Sequence, residues 1–124
     1  MTRFHWEPLD LLEFLGVSPA EAEGGTSYRY VLEQPPLSLV LTIWPLEGDV
    51  EVAIRCADMR EPVVHFHLLS CPGVRVIDDK WGKFIEFAAA NLFAGRVHIG
   101  QPAPHGFRLR VEPNLQITTF NHDA

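Results

Sequence analysis

The stretch LSLVLTIWPLEGDVEVAIRCA, residues 37–57, decides the fold class. Leu37–Trp44 is a nearly continuous apolar run, as expected of a central strand covered on both faces. Pro45 to Gly48 supply a turn. Asp49–Ala57 then alternates, with Val50, Val52, Ile54 and Cys56 set against Glu51, Ala53 and Arg55. A period of two marks a strand with one buried face.

Similar texture extends in both directions. Upstream, Ser27–Glu33 alternates Tyr28, Tyr30 and Leu32 against Arg29 and Glu33, and Pro35-Pro36 ends it. Downstream, Asp58–Glu61 turns the chain into Pro62–Ser70, and Pro72-Gly73 leads into Val74–Asp78. Phe107, Leu109 and Val111 alternate with Arg108 and Arg110. Leu115, Ile117 and Thr119 follow after Pro113-Asn114. Arg96–Ile99 is a shorter strand candidate. Residues 79–95 admit two readings. Asp79 either caps a helix through Ala88-Ala89-Ala90 to Gly95, or the chain turns at 79–83 into a strand over Phe84–Ala88. Alanine favours the helix, whereas Gly82 and the aromatic alternation favour the hairpin.

The N-terminal segment differs. Pro8–Leu15 places Leu11, Leu12 and Leu15 on one helical face, with Pro8 at the first position and Gly16 at the stop. Ser18-Pro19-Ala20-Glu21 has the form of a capping box and predicts a second helix of about one turn before Gly24-Gly25. The expectation is a mainly β chain, an antiparallel sheet or sandwich of about seven to nine strands with one or two short N-terminal helices. Residues 1–124 form a single domain in this reading, with 1–25 a helical segment packed on a β body over 26–120.

Register can also be read from the pattern. An even loop at Asp58–Glu61 sets His65 opposite Ile54 and mixes polar with apolar residues on both faces. A shift of one residue sets Val64, Phe66 and Leu68 opposite Ile54, Val52 and Val50. His65 and His67 then share a face with Glu51, Ala53 and Arg55. An odd-length loop or a bulge is therefore expected.

Composition narrows the function. Hydrophobic residues make up 47% and charged residues 21% of 124, which suits a globular domain that folds without metal or disulfide. Ten cations face sixteen anions, a net charge of −6. That sign disfavours nucleic acid and anionic membrane as partners. Much of the imbalance lies in residues 1–25, where Glu7, Asp10, Glu13, Glu21 and Glu23 face Arg3. No stretch approaches the ~20 apolar residues of a membrane helix, and the first residues lack the pattern of a signal peptide. A cytoplasmic location is expected. Cys56 and Cys71 would lie about 30 Å apart along a 49–70 hairpin at ~3.3 Å per residue, too far for a disulfide.

Three residue sets are candidates for chemistry or binding. His65 and His67 project together from one strand, and with Glu51 beside them could hold a divalent metal. The alternative is an ordinary cross-strand polar face. Arg108 and Arg110, with Arg96 across a ladder, could grip a carboxylate or phosphate. Trp6, Glu7, Asp10, Glu13 and Trp81 are candidates for a protein interface, since partly exposed aromatics anchor such surfaces. No G-x-S-x-G, G-x-x-x-x-G-K, G-x-G-x-x-G or H-E-x-x-H motif occurs. The sequence thus favours a non-enzymatic binding module without a cofactor, of the kind that neutralises a toxin by covering a basic surface. A metal-dependent protein and a small-anion binder are the alternatives. A homodimer through a sheet edge or face is compatible with each of them.

Overall fold

The computed structural model describes residues 4–69, 71, 73–80, 82–88 and 105–121. Among them one helix, α1 (Pro8–Leu15), precedes nine strands in two antiparallel sheets. The first sheet runs in chain order: β1 (Ala20–Glu21), β2 (Tyr28–Gln34), β3 (Leu37–Trp44), β4 (Asp49–Cys56) and β5 (Val64–Leu68). The second does the same: β6 (Val74–Asp79), β7 (Gly82–Ala88), β8 (His105–Arg110) and β9 (Gln116–Asn121). Each neighbour in a sheet is also a neighbour in sequence, as in a meander of antiparallel strands.

Alternation decides what lies between the sheets. Leu39, Leu41, Ile43, Val50, Val52 and Ile54 from the first sheet meet Val74, Ile85, Phe87 and Leu109 from the second in one buried cluster. The rings of Phe66 and Phe107 stack across the gap at 4.4 Å. Helix α1 adds Leu11, Phe14 and Leu15 to this core. Pro8 opens the helix, and Gly16 ends it at φ 73, donating its N–H to the Leu12 carbonyl at 2.8 Å. Gln34 ties the layers together at one end. Its amide donates to the Val111 carbonyl at 2.9 Å and its oxygen accepts from the Leu115 N–H at 2.6 Å.

The pairing of β4 with β5 follows the shifted register. Ile54 pairs with Val64, Val52 with Phe66, and Val50 with Leu68. Extended by two places, this sets Cys56 opposite Pro62 and leaves 57–61, an odd number, to turn the chain. The hairpin reading holds over the first part of 79–95: Asp79 pairs with Gly82, and β7 continues to Ala88. The Arg96–Ile99 strand lies outside the described residues. Cys56 is half-buried and Cys71 buried, both as thiols.

The second N-terminal helix does not form. Ala20 and Glu21 instead pair with Arg29 and Tyr28 as a two-residue edge strand, and Glu23–Gly25 make a single 3-10 turn. A one-turn helix closed at once by two glycines cannot recover its nucleation cost. Pairing with the β2 edge satisfies the same backbone groups. Trp44 lies on the other side of its strand from the core. The parity of β3 puts it with Val40 and Thr42 on the outward face, where its ring lies 5.8 Å from that of His67.

Tyr30 is a polar exception within the core. It is 1% exposed, and its hydroxyl has no hydrogen-bond partner among the described residues. Burial, with the neighbouring Tyr28 adding to it, pushes this hydroxyl above its ordinary value of 10.0. The folded state therefore holds the proton after the unfolded chain begins to lose it, so stability falls as pH rises past about 10. Tyr30→Phe should leave stability near neutral pH unchanged or raise it by up to about 1 kcal/mol. The variant should also lose less stability than wild type in melts between pH 9 and 11. Marked destabilisation at neutral pH would show that the hydroxyl makes a hydrogen bond in the folded protein.

Candidate functional site

Three surfaces carry the chemically distinctive residues. The first is the outward face of β2–β5. The ladder sets Glu51 opposite His67 and Ala53 opposite His65. The carboxylate nevertheless reaches along the diagonal, and Glu51 Oε2 lies 2.8 Å from His65 Nε2. His67 packs instead against Trp44. The three residues thus share one face, but the carboxylate serves one imidazole and the indole the other. Among the described residues no group of three His, Cys, Asp or Glu side chains is placed to hold a metal ion. The Glu51–His65 pair is exposed enough to contribute at most about 1 kcal/mol.

The second surface is the outward face of β6–β8. Alternation sends Ile85 and Phe87 inward, so Phe84 and Glu86 point away from the core between the sheets. Both are nonetheless buried, Glu86 to 3% exposure. Arginines from the flanking strands cover them. Arg75, paired with Glu86 in the ladder, donates through Nε at 3.1 Å and Nη2 at 2.7 Å to the same carboxylate oxygen. Arg108, its partner on the other side, approaches the second oxygen at 3.5 Å. The guanidiniums of Arg108 and Arg110 lie over the Phe84 ring, at 4.6 and 5.7 Å from its centroid. Arg108 and Arg110 do converge, as the alternation predicts, but around an internal carboxylate and an aromatic ring. A carboxylate already sits where an external anion would bind Arg108. Arg96 lies outside the described residues.

The third surface is the N-terminal segment. Glu7, Asp10 and Glu13 are exposed, Asp10 and Glu13 on α1 and Glu7 just before it. Trp6 is half-buried, tilted 5.0 Å from Tyr28 and 6.2 Å from Phe4. It anchors the segment to the sheet, and the carboxylates are the part presented to solvent. Trp81 lies outside the described residues.

Sequence reasoning missed two features. Glu86 as the centre of an ion cluster was signalled by an acid inside the apolar run Phe84–Phe87, flanked by arginine-bearing strands. Leu9, Leu46 and Leu69, all exposed, had no local signal that set them apart, because the exposure of a leucine depends on contacts made far along the chain.

The chain is similar in structure to a chain of a contact-dependent growth inhibition toxin–immunity protein complex from Klebsiella pneumoniae 342. The TM-score is 0.73 at 16% sequence identity, covering 97% of this chain and 98% of that one. At that identity the likeness is one of fold. No family model matches the chain. No curated protein matches it.

Proposed function

We propose that the protein is an immunity-type binding module that covers a cationic surface on a partner protein. The observation that carries this reading is the end-to-end correspondence of fold with a chain taken from a toxin–immunity complex. Charge adds to it. The chain carries −6 overall, and the exposed carboxylates Glu7, Asp10 and Glu13 stand together on the N-terminal segment. Such a surface steers a basic partner and makes the association rate sensitive to salt.

The test is a native mass spectrum of the protein purified gently from its own host, with any bound chain sequenced. A stoichiometric partner with a basic surface is the expected result. Neutralising Glu7, Asp10 and Glu13 together to Gln, Asn and Gln should weaken that complex and flatten its dependence on salt. A bare monomer, a homodimer or a metal-bearing mass without a second protein would remove the proposal. A metal-bearing mass would return attention to His65, His67 and Glu51.

A further inference from the structure

One end of the sandwich gathers three chain segments that are far apart in sequence. His5 bridges Gly73 in parallel, and its carbonyl accepts the Val74 N–H at 2.9 Å. The Cys71 N–H donates to the Gly48 carbonyl at 2.7 Å. A side chain on Gly48 would also touch the Phe4 ring. The chain just before α1, the β3–β4 turn and the link from β5 to β6 therefore close over the same edge of the core.

What they present outward is unusual for a tied-down end. Leu46 is 79% exposed and Leu69 62%, and each stands two residues from the Gly48–Cys71 hydrogen bond. Leu9, 67% exposed, follows Trp6 by three residues. These are the three most exposed large apolar side chains among the described residues. Scattered apolar residues need no explanation, but two exposed leucines that flank one backbone hydrogen bond at a tied-down end suit the apolar centre of an interface.

Charge identifies the occupant. The stretches that meet at this end, 4–9, 44–50 and 67–74, contain no lysine or arginine; of the cations just beyond them, Arg75 is paired with Glu86 and Arg3 lies outside the described residues. The same stretches place Glu7, Glu47 and Asp49 within two residues of the bridging positions His5 and Gly48. Exposed leucines with exposed carboxylates close by in the chain fit a protein surface with an apolar recess among lysines and arginines. We infer that this end, centred on Leu46 and Leu69 with Glu7 and Glu47 at its rim, is where the cationic partner docks. The inference rests on the binding role proposed above and adds the place and chemistry of contact.

The test uses the full chain and the protein that co-purifies with it from its host, titrated by calorimetry against two double variants. Leu46→Ser with Leu69→Ser should weaken binding by about tenfold or more, because leucines at the centre of an interface lose their contact area. Met59→Ser with Val63→Ser removes two comparably exposed side chains from the β4–β5 connection, at the other end of the hairpin, and should bind as wild type does. Both variants should melt like wild type, since every substituted side chain is exposed. Glu7→Gln with Glu47→Gln should reduce the salt dependence. Unchanged affinity in the Leu46/Leu69 variant overturns the location and leaves the binding role standing. A co-purifying protein without a basic surface overturns the occupant. If no second protein is recovered, the location falls together with the binding role.

Discussion

Glu86→Ala is expected to cost about 3–5 kcal/mol, because it strips the counter-charge from guanidiniums held at a poorly solvated site. The carboxylate is 3% exposed, and the Arg75 and Arg108 side chains 23% and 25%. The pairing is therefore screened far less than that of the exposed His65 with Glu51. Two N–H groups of Arg75 converge on one oxygen and Arg108 approaches the other, an arrangement that compensates much of the desolvation cost. For a chain of this length the loss should lower the melting temperature by about 10–20 °C. The ion cluster need not be worth that much in itself. A triple variant with Arg75→Met, Glu86→Leu and Arg108→Leu should recover most of the lost stability, since the three charges that face one another are removed together. A Glu86→Ala protein that melts within about 1 kcal/mol of wild type would mean that water reaches the arginines freely.

The cluster shows which parts of the molecule were legible in the sequence. Pairing of β4 with β5 was legible because a one-residue slip exchanges the faces, and only one register keeps Val64, Phe66 and Leu68 with the core. The limits of β3 could be read because Pro36 and Pro45 bracket an unbroken apolar run. The turn into β7 was legible from Gly82, whose φ of 120 suits a tight reversal. Ser18–Glu21 misled for the opposite reason. A capping box is a local preference of about 1 kcal/mol, and a sheet edge offered those residues more backbone hydrogen bonds. Alternation also placed Arg108 and Arg110 together correctly. It could not show that Glu86 and Phe84 fill the space beneath them, since that depends on three strands meeting side by side. The candidate site suffered most. His65, His67 and Glu51 were put on one face, but side-chain rotamers divided them between a carboxylate and an indole. The exposed leucines became meaningful only once His5, Gly48, Cys71 and Gly73 were seen to converge.

That convergence makes Gly73 the position with the next largest expected effect. A β-carbon built there would run into the carbonyl oxygen of His5 and lie 3.1 Å from the His5 Cβ. The crowding atoms include backbone, which cannot swing aside as a side-chain tip can. Gly73 is not held in the left-handed region, so backbone strain plays no part and space alone is at issue. Gly73→Ala should therefore push the His5 strand away and break the bond from Val74 N–H to the His5 carbonyl, at a cost of about 2–3 kcal/mol. The damage should be directional. Amide exchange should rise at Val74 and through residues 4–7, and Trp6 should lose part of its packing on Tyr28. The β2–β3 and β3–β4 ladders, which do not depend on this bridge, should keep their protection. Uniform loss of protection would mean that the N-terminal segment is part of a single cooperative unit with both sheets. Unaltered protection at Val74 would mean that the bridge is loose, and that the N-terminal segment is held by the contacts of Trp6 and α1 instead.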